Sequence, residues 1–261
     1  MNILNQCVIV TGAASGLGEA TAKALANQGA HVALLDINLE LAQKVAADIS
    51  NTNPNAKTLA LRCDITQTES VNEALAQATA HLGAPRVLMN IAGIGGAKRL
   101  VSKEFQAAPL EDFSKVISVN LIGTYNITRL FAAQCAKLDA LDSSERGVIM
   151  FTASVAAYEG QIGQQAYSAS KGGIVSMTLP MARDLAQYGI RVCTIAPGLF
   201  MTPLMKELPE SVQESLAQSI PFPKRLGKPE EFAQLACHIV SNEHLNGEVI
   251  RLDGALRMAP R

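Results

Sequence analysis

The chain has 261 residues, with 22 lysines and arginines against 23 aspartates and glutamates, so its formal net charge at pH 7 is −1. With 48% hydrophobic and 17% charged residues, this composition suits one large globular domain and indicates neither a disordered chain nor a polyanion-binding surface. Nucleic acid is therefore not the expected partner.

The chain contains five cysteines without a C-x-x-C pair, and its four histidines form no pair at metal-ligand spacing. We therefore expect reduced thiols and no metal site. No stretch approaches the ~18 apolar residues of a membrane span, and the first residues lack the pattern of a signal peptide. The expected protein is soluble and cytoplasmic.

Short apolar runs alternate with longer stretches of helical period, which is typical of βαβ units around a parallel sheet. The pattern predicts an α/β fold, with residues 1–261 forming a single Rossmann-type domain that has a seven-stranded parallel sheet and helices on both faces. The predicted strands are residues 7–11, 31–36, 58–62, 86–90, 147–152, 191–196 and 248–252. Residues 199–226, which contain several prolines, interrupt this rhythm and are a candidate lid.

The first predicted strand runs directly into TGAASGLG, which places Gly12, Gly16 and Gly18 at a junction between a strand and a helix. Glycine permits a tight turn there, and it lets the backbone approach a pyrophosphate at the positive end of the helix. The second strand ends at Asp36, where a carboxylate can accept hydrogen bonds from an adenosine ribose. Because a carboxylate repels a 2′-phosphate, we expect NAD rather than NADP. The alternative is that Asp36 only ends a strand.

The third and fourth predicted strands are followed by residues that should lie at one edge of the sheet, beyond the carboxyl ends of the strands. Open α/β sheets bind ligands at this edge. The residues are Cys63, Asp64 and Ile65 after the third strand, and Asn90, Ile91, Ala92 and Gly93 from the end of the fourth.

Tyr167 and Lys171 lie four residues apart in YSASK, so a helix would place them on one face. Unperturbed tyrosine has a pKa near ~10, and a phenol needs an adjacent cation to exchange protons at neutral pH. Spacing alone leaves open that they are two ordinary surface residues.

Several motifs occur in order along the chain: the glycine-rich loop, NIAG at 90–93, Asn120 in SVNLIGTYN, Ser154 in TASVAAYEG, the Y-x-x-x-K of Tyr167 and Lys171, and PG at 197–198. In this combination the chain resembles the short-chain dehydrogenase/reductase family over essentially its whole length. The resemblance implies that Ser154 hydrogen-bonds the substrate oxygen, Tyr167 exchanges the proton, and Lys171 holds the nicotinamide ribose and lowers the tyrosine pKa. It also implies that the backbone carbonyl of Asn120 holds a water linked to Lys171.

The same resemblance implies an NAD site built from the loops at the sheet edge. Its expected members are Gly12, Ser15, Gly16, Leu17, Gly18, Asp36, Cys63, Asp64, Ile65, Asn90, Ile91, Ala92, Gly93, Tyr167, Lys171, Pro197, Gly198, Phe200 and Thr202. The family usually has a second asparagine where this chain has Ile91. This departure is minor, because only backbone contact with the cofactor is expected there.

The last hundred residues, including QIGQQAYSASK and LNGEVIRLDGALRMAP, resemble a subgroup that oxidises 3-hydroxyacyl-CoA or steroid alcohols with NAD and forms homotetramers. A role in fatty acid metabolism is implied. The expected substrate residues are Ser154, Gln161, Gln164, Tyr167 and Leu204, although the two glutamines are explained nearly as well as turn residues. Lys98, Arg99 and Lys103 could meet coenzyme A phosphates or form a solvated loop.

Other functions are less consistent with the sequence, except for one that stays open. A 3-oxoacyl carrier-protein reductase usually favours NADP, which Asp36 disfavours, while a hydroxysteroid dehydrogenase stays open. A hydrolase using Ser154 would need a G-x-S-x-G elbow and a histidine base, and the sequence around Ser154 supplies neither. A non-catalytic NAD-binding regulatory protein would have no need to keep Ser154, Tyr167 and Lys171 together.

Overall fold

A computed structural model describes residues 1–141 and 143–260, apart from the side chain of Leu204. The described residues form one parallel sheet of seven strands in the order β3-β2-β1-β4-β5-β6-β7. The strands are β1 Cys7–Thr11, β2 His31–Asp36, β3 Thr58–Arg62, β4 Pro85–Asn90, β5 Gly147–Thr152, β6 Ile190–Pro197 and β7 Val249–Leu252. The predicted α/β fold with a seven-stranded parallel sheet is confirmed, and strand boundaries differ from the prediction by one residue at most.

Helices connect the strands and cover both faces of the sheet. They are α1 Gly16–Asn27, α2 Leu39–Thr52, α3 Thr68–Leu82, α4 Leu110–Ile117, α5 Thr124–Cys135, α6 Gln165–Leu185, α7 Pro203–Lys206, α8 Glu210–Gln218 and α9 Pro229–Ser241. A π-helical turn, Ser118–Gly123, joins α4 to α5, and 3-10 turns cover Val155–Ala157 and Ala186–Tyr188. None of the described helices is both long and apolar enough to cross a membrane.

The central strands β1, β4, β5 and β6 are buried on both faces because their side chains alternate between two cores. Val8 and Val10 of β1 belong to the core that includes Phe232 of α9, whereas Ile9 belongs to the core that includes Phe131 of α5. This two-sided burial explains why the strands read as nearly continuous apolar runs.

The strand order creates a crevice at the carboxyl edge of the sheet. The chain builds β1, β2 and β3 outward in one direction and then returns to place β4 beside β1. The loops after β1 and β4 therefore diverge to opposite sides of the sheet, which is the position where open α/β sheets bind ligands.

At the opposite edge, Arg191 at the start of β6 holds the ends of α9 and β5 together. Its Nε donates to Glu145 Oε1 at 2.6 Å, and both residues are buried. Three of its other four N–H groups donate to the carbonyl oxygens of Ile239, Val240 and Leu245 at 2.8–2.9 Å. Four of the five N–H groups of the guanidinium thus bind at this junction.

Removing the Glu145 carboxylate should destabilise the fold, because it leaves the buried Arg191 cation without its counter-charge. We expect Glu145→Ala to lower the free energy of unfolding by about 3–5 kcal/mol in urea titrations. The matched control is Glu19→Ala, which breaks an ion pair of the same 2.6 Å length to Lys23 on a more exposed surface and should cost only about 0.5 kcal/mol. If both variants lost the same free energy of unfolding, the buried pair of Glu145 and Arg191 would contribute no more than a surface ion pair.

Candidate active site

A cleft with a volume of about 740 Å³ opens at the carboxyl edge of the sheet. It is lined by the loops after β1 through β6 and by the first turns of α6. The predicted site residues that line it are Gly12, Ser15, Gly16, Leu17, Gly18, Asp36, Cys63, Asp64, Ile65, Ile91, Ala92, Gly93, Ser154, Tyr167, Lys171, Pro197, Gly198, Phe200 and Thr202. The fold therefore gathers into one cleft residues from positions 12 to 202.

The glycine-rich loop leaves no room for side chains on the floor of the cleft. Gly12 has φ +66°, and a Cβ there would lie 2.8 Å from the backbone of Ala92. A Cβ on Gly18 would overlap the Gly12 carbonyl. Thr11 Oγ1 accepts hydrogen bonds from the N–H groups of Ile91 and Ala92 at 3.0 and 3.1 Å and ties the two loops together. At Gly12 and Gly18 only backbone thus fits beside the N-terminus of α1, where a phosphate would bind.

Asp36 ends β2 beside this loop. Its Oδ2 accepts from the Ala14 N–H at 3.1 Å, and its Oδ1 accepts from the Asn38 N–H at 2.9 Å. A carboxylate offers about four lone-pair sites. Two backbone donors therefore orient the group and leave acceptor capacity for hydroxyl groups in the cleft.

Ser154, Tyr167 and Lys171 meet at the other end of the cleft. Lys171 is almost fully buried, and its Nζ donates to the Thr152 carbonyl oxygen at 2.7 Å. The same Nζ lies 5.8 Å from the centroid of the Tyr167 ring, one turn earlier on α6. Ser154 precedes the Val155–Ala157 turn, and its Oγ accepts from the Ala156 N–H at 3.1 Å. Hydroxyl, phenol and ammonium are thus held on rigid elements.

Burial acts in opposite directions on the two titratable groups. It raises the pKa of Tyr167, while the nearby Ser154 hydroxyl acts to lower that pKa. Burial also lowers the pKa of Lys171 to about 8. At neutral pH the phenol is therefore protonated, and the ammonium keeps its charge by a narrow margin.

Asn120 connects the loop after β4 with α6 through its side chain. It lies in the π-helical turn and is fully buried. Its Oδ1 accepts from the Ile94 N–H at 2.8 Å, and its Nδ2 donates to the Ile94 carbonyl at 2.9 Å and to Ser170 Oγ at 3.1 Å. Asn120 therefore fixes the loop after β4 against α6, while the expected role of its backbone carbonyl stays a prediction.

Some predicted residues do not line the cleft. The Asn90 side chain donates instead to Thr128 Oγ1 at 3.2 Å, toward α5. Gln164 Oε1 accepts from the Gln161 N–H at 3.0 Å, and Gln161 Nε2 donates to the Ala259 carbonyl at 3.1 Å. Both glutamines thus make contacts within a turn and to the C-terminal segment, while their role toward the substrate stays a prediction. The predicted side chain of Leu204 lies outside the described residues.

The three basic residues considered for coenzyme A also lie outside the lining of this cleft. Lys98 Nζ is 3.5 Å from Asp112 Oδ2, and both side chains are exposed. A contact between these residues and phosphates stays a prediction.

Other residues line the cleft without having been predicted as site residues. They are Thr11, Leu35, Ile37, Thr66, Ile94, Gly95, Lys115, Val119, Thr152, Ala153, Leu199, Pro203 and Met205. Those that adjoin strand ends could have been found by extending each predicted loop by one or two residues. Lys115 and Val119 could be identified only from the way α4 and the π-helical turn pack against the sheet edge.

Segment 199–226 borders the cleft and packs on the end of the chain. Ile220 and Leu226 are buried against Leu256 in a small apolar cluster separate from the two main cores. Met201 and Met205 also pack against this cluster. The segment thus has a small core of its own, while its predicted action as a lid stays a prediction.

The buried Lys171 ammonium should reduce the stability of the protein without ligand. Because its pKa falls from 10.5 to about 8, the unfolded chain binds more protons between these values, and the penalty is present below pH 8 and fades as the pH rises toward 10.5. We expect Lys171→Met to raise the free energy of unfolding by about 1–3 kcal/mol at pH 7, allowing for the lost bond to Thr152. The gain should shrink in urea titrations at pH 10. If Lys171→Met instead lowered the free energy of unfolding at pH 7, the buried ammonium would not be destabilising.

Comparison with known proteins agrees with this geometry. Residues 6–213 match the family model described as short chain dehydrogenase. The chain is 52% identical over 258 residues to 3-hydroxyacyl-CoA dehydrogenase type-2 of Bos taurus, covering 97% of this chain and 95% of the relative. The crystal structure of 3-hydroxyacyl-CoA dehydrogenase type-2 from Mycobacterium avium superimposes with a TM-score of 0.91 at 41% identity, covering 98% of this chain and 97% of that one. The crystal structure of 3-ketoacyl-(acyl-carrier-protein) reductase from Brucella melitensis complexed with NADH superimposes with a TM-score of 0.86 at 29% identity. That match covers 98% of this chain and 100% of the other chain. The chain belongs to the short-chain dehydrogenase family and is an oxidoreductase.

Proposed function

We propose that the protein is an NAD-dependent dehydrogenase that interconverts the secondary alcohol of a 3-hydroxyacyl-CoA and the ketone of a 3-oxoacyl-CoA. The observation that carries the proposal is the meeting of Ser154, Tyr167 and Lys171 at one end of a cleft whose other end holds the glycine-rich loop and Asp36. The names of the relatives at 41–52% identity supply the acyl-CoA class.

The cleft fits NAD by the chemistry of its residues. The backbone around Gly12 and Gly18, at the N-terminus of α1, suits a pyrophosphate. Asp36 retains acceptor sites for ribose hydroxyls, and Lys171 would hold the second ribose. NAD, when bound, accepts the hydride that leaves the alcohol carbon. One structural neighbour was solved with NADH, while Asp36 is the observation in this chain that favours NAD over NADP.

The residues of this chain would remove the hydroxyl proton of the alcohol and orient its oxygen. The Tyr167 phenolate oxygen would take the hydroxyl proton of the alcohol as the C–H bond gives up its hydride, and Ser154 Oγ would donate a hydrogen bond to the same substrate oxygen. Lys171 supplies one positive charge near the phenol. The positively charged nicotinamide of NAD would supply a second, which would further oppose the effect of burial on the Tyr167 pKa.

The side of the cleft beside segment 199–226 would receive the apolar part of the substrate. Leu199, Phe200 and Met205 line this side. Methionine adapts its shape to irregular apolar ligands, so this surface suits an acyl chain. A steroid alcohol is apolar as well, and a carrier-protein thioester carries the same 3-hydroxyacyl group. Substrate comparison must therefore separate these candidates.

Two further properties of the family subgroup, its oligomeric state and its compartment, are part of the proposal. Exposed apolar side chains on α4 and α5 and the turn between them, namely Leu110, Ile122 and Tyr125, offer a surface that further copies in a homotetramer could cover. Five free, buried cysteines are compatible with a reducing compartment such as the cytoplasm.

The proposal is tested by mixing the purified protein with NAD and 3-hydroxybutyryl-CoA and recording the absorbance of the reduced cofactor. Carrier-protein thioesters and hydroxysteroids are assayed in parallel. Turnover of the coenzyme A ester with the highest kcat/KM supports the proposal. Turnover confined to either of the other substrates would replace it, and no turnover of any would favour a non-catalytic NAD-binding protein.

Asp36 should determine cofactor choice. We expect kcat/KM for NAD to exceed that for NADP by well over ~10-fold, because a charge-assisted hydrogen bond is replaced by charge repulsion, a difference of more than ~1.4 kcal/mol. Asp36→Asn should narrow the ratio, whereas Asp48→Asn, at an exposed carboxylate outside the cleft, should leave it unchanged. Equal use of NAD and NADP by the unaltered protein would exclude this role.

Tyr167 should be needed for turnover but not for cofactor binding. Tyr167→Phe removes the phenol and keeps the ring, so we expect kcat to fall by at least ~100-fold while the Kd for NAD is preserved. Lys171→Met should weaken both, because one ammonium serves both tasks. Tyr188→Phe, at an exposed tyrosine outside the cleft, is the control. If Tyr167→Phe retained more than about a tenth of the activity, another group would be the base.

A further inference from the structure

The loop that joins Ser154 to the helix bearing Tyr167 is packed on both sides. This 155–164 loop begins with the turn that Ser154 caps, and the Glu159 N–H donates back to the Val155 carbonyl at 3.0 Å. On its inner side, a Cβ added to Gly160 would overlap Ser168 Oγ, directly after Tyr167 on α6. Movement of this loop would therefore displace Ser154 at one end of the loop or Tyr167 at the other.

Arg251 of β7 holds the outer side of the loop. Its two terminal nitrogens donate to the two Glu159 carboxylate oxygens at 2.7 and 2.9 Å. Its Nε donates to Asp253 Oδ2 at 2.7 Å, and one terminal nitrogen also donates to the Leu256 carbonyl at 3.0 Å. The guanidinium beside it holds the pKa of Glu159 below its usual range. With the Arg251 and Glu159 side chains 22% and 24% exposed, the pair is better sheltered than an ordinary surface ion pair.

The C-terminal segment 253–260 fastens the far end of the same loop. The Ile162 N–H donates to the Pro260 carbonyl at 3.0 Å, and Gln161 Nε2 reaches the Ala259 carbonyl. Leu256 anchors this segment in the apolar cluster beneath segment 199–226. Arg251 thus sits where the loop and the C-terminal segment meet, and its contacts join the two.

We propose that Arg251 is a positioning residue for the oxidoreductase: through its forked contact with Glu159 it fixes the 155–164 loop against the C-terminal segment, which aligns Ser154 with Tyr167. This inference rests on the proposed function, because it assigns both hydroxyl groups to the reacting oxygen. Arg251 and Glu159 do not line the cleft. They would act on kcat through geometry without contributing to the binding of substrate or cofactor.

The test compares Arg251→Gln, Glu159→Gln and the double variant with the unaltered protein, using whichever alcohol that protein oxidises with the highest kcat/KM. We expect each single variant to lower kcat by about 10- to 100-fold, as misplacement by an ångström does, with the Kd for NAD unchanged. Because the two residues act as one unit, the double variant should be no slower than the worse single variant. Arg251→Lys keeps the charge without the fork and should recover only part of kcat.

Hydrogen exchange at the Ile162 amide provides a readout independent of activity. Without substrate, exchange should be faster in both single variants than in the unaltered protein. The matched control is Glu145→Gln, which weakens another arginine–glutamate pair, with Arg191 at 2.6 Å, at the end of the sheet opposite the cleft. It should lower Tm while leaving kcat and Ile162 exchange unchanged.

Several outcomes would overturn the inference. They are single variants whose kcat matches the control, effects on kcat that add in the double variant, or Ile162 exchange that is unchanged by the substitutions. Failure of the unaltered protein to oxidise 3-hydroxybutyryl-CoA would refute the proposed substrate alone, because the exchange measurement needs no substrate and the kinetic comparison uses any alcohol that is turned over.

Discussion

The burial of the Lys171 ammonium is the constraint on which the site depends. Removing this charge from water is unfavourable, and burial therefore lowers the pKa of Lys171 to about 8. The Thr152 carbonyl accepts a hydrogen bond from the ammonium and holds it in place, while Asn120 secures the neighbouring loop. The protein thus keeps a cation next to a phenol that burial has made less acidic, and under the proposed function this unfavourable burial serves reactivity.

The parallel sheet provides the geometry that this arrangement needs. All strands end at the same edge, so loops far apart in sequence meet there, and the return of the chain to β4 opens the crevice beside β1. The glycine-rich loop and Asp36 occupy the β1 and β2 side of the crevice, whereas α6 brings Tyr167 and Lys171 to the β4 and β5 side. A ligand long enough to span the cleft would therefore touch both groups.

The features predicted correctly from the sequence are those with a local pattern. Strand and helix periodicity, the glycines and the four-residue spacing of Tyr167 and Lys171 all depend on neighbours along the chain. The partners of Gln161 and Arg251 could not be predicted in this way, because Ala259 and Glu159 lie 98 and 92 residues from them. The Gln161 amide donates to the C-terminal segment, a contact that depends on where the fold places residues distant in sequence.

The central claim is that cofactor binding converts a weakly acidic, buried tyrosine into a proton acceptor near neutral pH. The most direct test is an NMR titration of isotope-labelled Tyr167, identified by loss of its signal in Tyr167→Phe, with and without NAD. The account predicts a pKa above the ordinary value of 10 in the free protein and a value well below 10 in the NAD complex, with a smaller decrease in Lys171→Met. A Tyr167 pKa that NAD leaves unchanged would contradict it.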